Sequence, residues 1–394
     1  MALTVGVPRE TMPGERRVAL IPRALDAVAK LGATILVEQG AGAQAGFPDD
    51  LYASRGAKIA SRADVFAQSD VVLQVRSLGA NPDAGRADLS LLRTGQVVIG
   101  FGEPLAAPAE MAALAATGVS FFAMELMPRI TRAQSMDALS SMATLAGYRA
   151  VLLAATTLPK MFPMLMTAAG TVTAAKVFVL GAGVAGLQAI ASARRLGAVV
   201  SAYDLRSAVK EQIESLGAKF VVLSVDAAAA EDKGGYAKAM GEEFYKRQRE
   251  LLTEVLREQD VVITTAAVPG QKAPILITRQ MAEAMQPGSV IVDIAAERGG
   301  NCELTRPGET IQHNGVQILG PLNLPSTLPY HASQMYGSNL VSFLKLMIKK
   351  GELSLDRSDE IIRETLVTFG GEVVHSRVAE RLGSGAAMKT AEGR

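Results

Sequence analysis

The feature that most constrains this chain of 394 residues is an alternation of short β-branched segments with stretches of helical periodicity. Such alternation is typical of parallel sheets built from strand–helix–strand units. It occurs in two series. The first predicts strands at residues 4–7, 34–38, 71–75, 97–101 and 119–123, and the second at 176–180, 199–203, 219–223, 261–265, 290–294 and 316–319. The pattern predicts an α/β fold with two doubly wound parallel sheets.

The segments between the two series indicate how the domains connect. Residues 136–162 lack a strand signal and are rich in Ala, Leu and Met, which favours a long connecting helix. Helical periodicity returns at residues 333–348, so we expect the chain to recross to the first domain. We therefore expect a first Rossmann-like domain at residues 1–136 plus 329–380, a second at 137–328, and a flexible tail at 381–394. Long helices would join the domains around a ligand cleft.

Charge and composition exclude several classes of function. Lys+Arg (40) and Asp+Glu (39) nearly cancel, so the chain lacks the basic surplus that nucleic-acid binding requires. One Cys and three His, widely spaced, do not form a metal-binding motif. No transmembrane segment is predicted, because Lys160 and two prolines interrupt the most apolar region. The N-terminus lacks the pattern of a signal peptide, which predicts a cytoplasmic protein.

The strand at residues 176–180 leads into a glycine-rich turn and a helix-forming run. Gly181 permits the tight turn, Gly183 lets the backbone approach a pyrophosphate, and Gly186 lets helix and strand pack closely. The helix N-terminus adds free N–H groups and the positive end of the helix dipole. Strand, glycines and helix together predict a dinucleotide-binding site.

An acidic residue at the end of the next strand predicts which dinucleotide binds. Asp204 lies 18 residues after Gly186 (204 − 186), where a carboxylate can accept hydrogen bonds from the adenosine ribose and repel a 2′-phosphate. This favours NAD(H) over NADP(H). Arg206 points the other way, because a guanidinium can bind a 2′-phosphate.

A second polar cluster, residues 124–137, follows the last strand of the first domain. Arg129 can pair with a carboxamide or phosphate oxygen, Gln134 can donate and accept, and Asp137 can bind a ribose hydroxyl. The same residue types also fit a helix cap, with Ser135 or Asp137 as the N-cap. On residue types alone, the cap is the more common arrangement.

Three segments, residues 122–137, 180–196 and 234–244, closely resemble the NAD(H)-binding component of proton-translocating NAD(P) transhydrogenases. In that family an Arg–Gln–Asp loop positions the dihydronicotinamide, and a mobile loop with a tyrosine closes over the nucleotide. The resemblance implies catalytic roles for Arg129, Gln134, Asp137 and Tyr236. It implies, with the glycine turn, nucleotide contacts at Ser135, Met136, Ser140, Gly181, Gly183, Val184, Gly186, Asp204, Leu205, Arg206, Gly235, Gln248 and Ala267.

The chain is also similar to alanine dehydrogenases, whose reaction needs a proton acceptor and a group that polarises the carbonyl. The lysine of those enzymes aligns with Gln74, and their histidine falls in residues 100–104, which contain no histidine. Glu103 in that segment is a conceivable substitute acid. Hydride transfer between two nicotinamides moves no proton at the reacting carbons, so it requires neither group. The missing pair therefore favours transhydrogenation.

The resemblance also implies partners. Only one complete glycine fingerprint is present, so NADP(H) and the proton channel are expected on partner subunits. We expect a homodimer attached to the inner (plasma) membrane from the cytoplasmic side through those subunits, with no bound metal. Two alternatives stay open, an alanine-dehydrogenase-like enzyme and a non-catalytic NAD(H) sensor.

Overall fold

The computed structural model describes residues 3–223, 242–267 and 270–391. The chain forms two compact units, the first comprising Met1–Met142 with Ser326–Arg394 and the second Ala143–Pro325. Helix α5, introduced below, runs across the boundary at residue 142. Each unit is described by itself.

The N-terminal region of the first unit alternates strands with helices. Its strands are β1 (Thr4–Val7), β2 (Thr34–Glu38), β3 (Lys58–Ala60), β4 (Val71–Arg76), β5 (Val97–Phe101) and β6 (Ser120–Ala123). Its α-helices are α1 (Leu25–Ala29), α2 (Asp49–Ala53), α3 (Arg62–Gln68), α4 (Pro108–Ala116) and the start of α5 (Ala138–Thr157). Short 3₁₀ helices occur at Pro22–Ala24, Ala43–Ala45, Leu78–Ala80, Gly85–Leu91, Met124–Leu126 and Thr131–Met136.

The second unit repeats the alternation. Its strands are β7 (Leu165–Thr167), β8 (Gly170–Val172), β9 (Lys176–Leu180), β10 (Val199–Tyr203), β11 (Lys219–Phe220), β12 (Val261–Thr264), β13 (Val290–Asp293), β14 (Thr310–His313) and β15 (Val316–Leu319). Its helices are α6 (Val184–Arg195), α7 (Lys210–Ser215), α8 (Glu242–Leu256) and α9 (Arg279–Glu283), with 3₁₀ turns at Ser207–Val209, Ala296–Arg298 and Leu324–Thr327.

The C-terminal region of the chain completes the first unit. It contains α10 (Pro329–Met347), β16 (Ile348–Lys349), β17 (Glu352–Leu353), α11 (Glu360–Thr365), β18 (Leu366–Phe369), β19 (Glu372–Val373) and α12 (Ser376–Ala391). Residue 381, where the sequence predicts the start of a flexible tail, lies inside α12.

Each unit is built on one large sheet. The first has the order β19-β18-β6-β5-β4-β1-β2-β3, parallel from β6 to β3. The second has the order β11-β10-β9-β12-β13-β15-β14, parallel except for β14. The structure confirms the predicted α/β class with two Rossmann-like parallel sheets. The antiparallel strands β14, β18 and β19 are additions that the sequence did not predict.

The second sheet is buried on both faces, and β9 shows how. Val177 and Val179 pack into the core on one face, whereas Phe178 and Leu180 pack into the core on the other. All four are essentially inaccessible to solvent. A parallel strand with helices on both sides needs apolar residues at every position, so an unbroken apolar run forms it.

Helix α5 is the one described helix long and apolar enough to cross a membrane by length and composition alone. In the structure 44% of its apolar window is buried. Ala146, Ala150, Val151 and Ala154 belong to the core of the second unit. Packing within that core accounts for the apolar composition of this helix.

Candidate functional site

The glycine-rich turn after β9 packs with almost no room for side chains. Gly181 has a φ of +96°, and a Cβ there would lie 2.6 Å from Thr265 Oγ1. A Cβ on Gly186 would lie 1.9 Å from the carbonyl oxygen of Gly181. Both positions therefore require glycine, because any side chain would push α6 away from the strand.

Gly183 differs from these two glycines. It is the N-cap residue of α6, and a Cβ there would have no atom within 4 Å. The next residue, Val184, is exposed. The N-terminus of this helix is therefore open, and its first N–H groups and dipole can bind an anion such as a pyrophosphate.

Asp204, directly after β10, lies beside this turn. Its carboxylate is almost fully buried and accepts a hydrogen bond from the Ala182 N–H at 2.7 Å. Arg206 donates to the same carboxylate from its backbone N–H, Nε and one Nη, at 2.9, 2.9 and 3.0 Å. Leu205 between them is half-buried. The structure thus brings the fingerprint and its acid together, with the Arg206 guanidinium paired to that acid.

Two other predicted contacts lie on neighbouring elements. Gln248 of α8 is buried, and its Nε2 donates to the hydroxyl of Tyr203 at 2.8 Å. It therefore supports the end of β10, immediately before Asp204. Ala267 is exposed on the chain that leaves β12. Gly235 and Tyr236, the predicted lid residues, lie outside the described residues.

A buried polar network near β12 was missed from the sequence. Asp293, at the end of β13, is fully buried and accepts five hydrogen bonds. The donors are Thr264 Oγ1, Thr305 Oγ1 and the backbone N–H groups of Ala295, Asn301 and Cys302, at 2.6–3.0 Å. The one signal available was the pair Gly299–Gly300 soon after a predicted strand, which indicates a tight turn at its carboxyl end.

In the first unit, the predicted Arg–Gln–Asp loop forms an exposed turn before α5. Arg129, Gln134 and Ser135 are exposed, whereas Met136 is buried. Asp137 is half-buried and caps α5. Its two carboxylate oxygens accept from the backbone N–H and the hydroxyl of Ser140, at 2.9 and 2.6 Å.

The loop is fastened to the helices that follow in the C-terminal region of the first unit. Arg132 forms a bidentate ion pair with Asp359, with distances of 2.7 and 3.0 Å. Asn339 of α10 donates from Nδ2 to the carbonyl oxygen of Ser135 at 2.9 Å. Asp359 also caps α11 by accepting from the Ile361 N–H. These contacts fix the backbone of the turn.

The positions aligned with the alanine dehydrogenase lysine and histidine hold other chemistry. Gln74 is buried, and its Nε2 donates to Asp88 at 3.1 Å. Near the aligned histidine segment, Glu125 Oε1 accepts from the backbone N–H groups of Gly102 and Glu103, at 2.8 and 2.6 Å. Burial and the neighbouring Glu103 raise the pKa of Glu125 to about 7. Among the described residues, no cluster of His, Cys, Asp or Glu is arranged to hold a metal ion.

Comparison with protein-family models gives two matches that together span most of the chain. The "Alanine dehydrogenase/PNT, N-terminal domain" matches residues 6–146, and the "Alanine dehydrogenase/PNT, C-terminal domain" matches residues 150–376. Among curated proteins, an NAD(P) transhydrogenase subunit alpha protein of Rhodospirillum rubrum is 46% identical over 377 residues, which is 95% of this chain and 98% of that protein.

Solved structures give the same picture. The crystal structure of transhydrogenase from Sinorhizobium meliloti has a TM-score of 0.82 and 44% identity, covering 95% of this chain and 99% of that one. An L-alanine dehydrogenase has a TM-score of 0.80 and 25% identity, covering 97% and 99%. The fold is therefore shared by both kinds of protein, and identity is higher to the transhydrogenase.

Proposed function

The chain belongs to the alanine dehydrogenase/PNT family, and on this premise we propose that it is the NAD(H)-binding subunit of a proton-translocating NAD(P)⁺ transhydrogenase. In this function it passes a hydride between NADH bound here and NADP⁺ bound on a partner subunit. The observation that carries the proposal is the open helix N-terminus at Gly183 with the buried Asp204 carboxylate beside it.

Each group in the second unit has a defined role in binding. The N-terminus of α6 takes the pyrophosphate, and Gly183 lets the backbone come close. Asp204 accepts from the adenosine ribose hydroxyls. Since Arg206 is paired with Asp204 rather than set apart as a phosphate ligand, the pair favours NAD(H) over NADP(H).

The loop in the first unit presents the nicotinamide in this proposal. NADH, when bound, supplies the hydride on C4 of its dihydronicotinamide. Arg129 and Gln134 are exposed on a turn whose backbone is fixed by Asn339 and by the Arg132–Asp359 pair, so they can orient the ring and its carboxamide. Asp137 stands at the end of that turn. Tyr236 and Gly235 complete the proposal as a lid over the nucleotide.

The reaction requires no proton transfer at the reacting carbons. The hydride leaves one nicotinamide C4 with its electron pair and forms a bond to the other. Orientation and exclusion of water are then the main demands on the protein. Gln74, which hydrogen-bonds Asp88 where alanine dehydrogenases have lysine, is consistent with this chemistry.

The proposed subunit acts only with partners. They are the NADP(H)-binding component and the membrane-spanning subunit that carries protons, so the chain would sit on the cytoplasmic side of the inner membrane. Proton movement would change nucleotide affinity and alignment on the partner. We also propose a homodimer. The hairpin β7–β8 supports it, because Met164, Leu165, Met166 and Val172 are exposed there, Met166 by 79%.

Alanine dehydrogenase activity is the second candidate, favoured by the TM-score of 0.80 to such an enzyme. A single experiment separates the candidates. NADH fluorescence is followed while the purified chain is added, and then pyruvate and ammonium. The proposal expects binding without NADH loss, followed by turnover once the NADP(H)-binding partner and NADP⁺ are present. Rapid NADH loss with pyruvate and ammonium would overturn it. Binding without turnover in the complete complex would indicate an NAD(H) sensor.

A further inference from the structure

The strand order of the second sheet indicates where each half of a dinucleotide lies. From β9 the chain moves to β10 on one side, and β12 pairs with β9 on the other side. Dinucleotides cross the sheet at such a switch point, with the pyrophosphate over the central turn. Since Asp204 places the adenosine half over β10, the nicotinamide half lies over the carboxyl end of β12.

The chain that leaves β12 is fixed in this region. The Thr265 N–H donates to the Leu180 carbonyl at 2.9 Å, and the Thr265 hydroxyl donates to the Gly181 carbonyl at 3.1 Å. The next residue, Ala266, is held on both of its backbone groups by one side chain. Its N–H donates to Asn301 Oδ1 at 3.0 Å, and its carbonyl accepts from Asn301 Nδ2 at 2.7 Å.

Asn301 is fully buried, and its side-chain amide holds this loop. The second bond from Nδ2 goes to the Pro274 carbonyl at 2.9 Å, so the amide spans both ends of the segment after β12. A buried amide that replaces strand pairing in this way sets the position of the peptide it holds.

The turn that delivers Asn301 is built for it. Gly299 and Gly300 have φ values of +92° and +81°, and a Cβ on Gly300 would lie 2.7 Å from Asp293 Oδ2. The same Oδ2 atom accepts the Asn301 N–H at 2.7 Å. Asp293 thereby anchors the backbone of Asn301, and Asn301 anchors Ala266.

We infer that Asn301 is a positioning residue for the nicotinamide half of the bound nucleotide, acting through the backbone of Ala266 and the exposed Ala267 beyond it. The inference rests on the proposed function, because it takes NADH as the ligand. Asparagine is required here rather than aspartate. A carboxylate could still accept from the Ala266 N–H, but it would face the carbonyls of Ala266 and Pro274 without a donor.

The test compares two ligands on the full chain. ADP occupies the adenosine and pyrophosphate regions only, whereas NADH also reaches over β12. Asn301→Ala is expected to raise the Kd for NADH about tenfold while leaving the Kd for ADP within about twofold, the scale of one or two neutral hydrogen bonds. Asn301→Asp should raise the NADH Kd further. Asn81→Ala removes another buried asparagine, in the first unit, and should change neither Kd.

A merely structural role would weaken both ligands equally, and such a result would overturn the inference. An unchanged NADH Kd would also overturn it. If Asn301→Ala fails to bind ADP, the smaller change Asn301→Ser gives the same comparison, and equal losses for the two ligands would again decide against it. If the unaltered chain binds no NADH, the proposed function fails and the inference fails with it.

Discussion

The Asp137 carboxylate holds Ser140 by two hydrogen bonds, one from the backbone N–H at 2.9 Å and one from the hydroxyl at 2.6 Å. Because α5 begins at Ala138, Asp137 is its N-cap and Ser140 its third residue. This is the capping arrangement that residue types alone favour. The proposed function gives the same carboxylate a role in presenting the nicotinamide, so the two roles must be separated by substitution.

Asp137→Asn separates them. Asparagine caps helices about as well as aspartate, so the free energy of unfolding should stay within about 0.5 kcal/mol. Loss of the charge should lower the rate of hydride transfer in the complete complex at least about tenfold if Asp137 contacts the nicotinamide or its ribose. Denaturant unfolding and stopped-flow transhydrogenation provide the two measurements.

Asp137→Ala is the matched control, because it removes cap and charge together. It should cost about 1 kcal/mol of stability in addition to the loss of rate. A transfer rate for Asp137→Asn equal to that of the unaltered complex would leave Asp137 as a helix cap only.

Two glycines of the fingerprint should respond in opposite ways to alanine. In Gly183→Ala the new Cβ meets no atom within 4 Å, so the fold should keep its stability. NADH affinity should fall at least about tenfold, because the methyl group occupies the space that the pyrophosphate needs. Calorimetric titration with NADH and denaturant unfolding would measure the two effects.

Gly186→Ala serves as the comparison. Its Cβ would lie 1.9 Å from the Gly181 carbonyl oxygen, so α6 must move, at a cost of about 1–3 kcal/mol of stability. Gly147→Ala on α5 should behave similarly, since its Cβ would lie 2.1 Å from the Ala185 carbonyl. Full NADH affinity in Gly183→Ala would show that the nucleotide does not approach this helix end.

The strands that the sequence predicted well are the buried parallel ones. β9 and β10 were predicted with their observed bounds, because a strand covered on both faces must be apolar throughout. β14 was missed because its burial alternates between half-buried and exposed, and β19 because it has only two residues. Such edge strands carry little hydrophobic signal and depend on pairing with a neighbour.

The candidate site divides in the same way. Gly181, Gly183 and Gly186 follow from local spacing, since one turn imposes all three. The Asn301–Ala266 bonds join residues 35 apart in sequence, and the Asn339–Ser135 bond joins residues 204 apart. Only the folded topology brings such pairs together, so no local pattern could have predicted them. The Arg–Gln–Asp loop was recognised by resemblance, because its residue types alone favour a cap.

Asp204 should set the preference for NADH over NADPH. Asp204→Asn keeps an oxygen to accept from Ala182 but removes the charge that repels a 2′-phosphate. NADH affinity should fall about tenfold or more, the scale of a charge-assisted hydrogen bond, and NADPH affinity should rise as Arg206 is released. Paired titrations with NADH and NADPH would measure the ratio. Lys210→Gln, on the exposed face of α7, is the control, and an unaltered ratio in Asp204→Asn would contradict the role of this acid.

Glu125 should make stability depend on pH. Its Oε1 accepts two backbone N–H groups, while its buried Oε2 has no partner within the described residues. Burial, with repulsion from Glu103, raises the pKa of Glu125 from 4.5 to about 7. Between these values the unfolded chain loses the proton and the folded chain keeps it.

The free energy of unfolding should therefore fall as pH rises from about 4.5 to about 7, by on the order of 2–3 kcal/mol from this group. Glu125→Gln mimics the protonated side chain and keeps an oxygen for the Gly102 and Glu103 N–H groups, so it should remove that slope. Glu352→Gln, at an exposed glutamate of β17, should leave it in place. Denaturant unfolding at half-unit pH steps would measure all three chains. Parallel curves for Glu125→Gln and the unaltered chain would mean that Glu125 is ionised in the folded protein throughout this range.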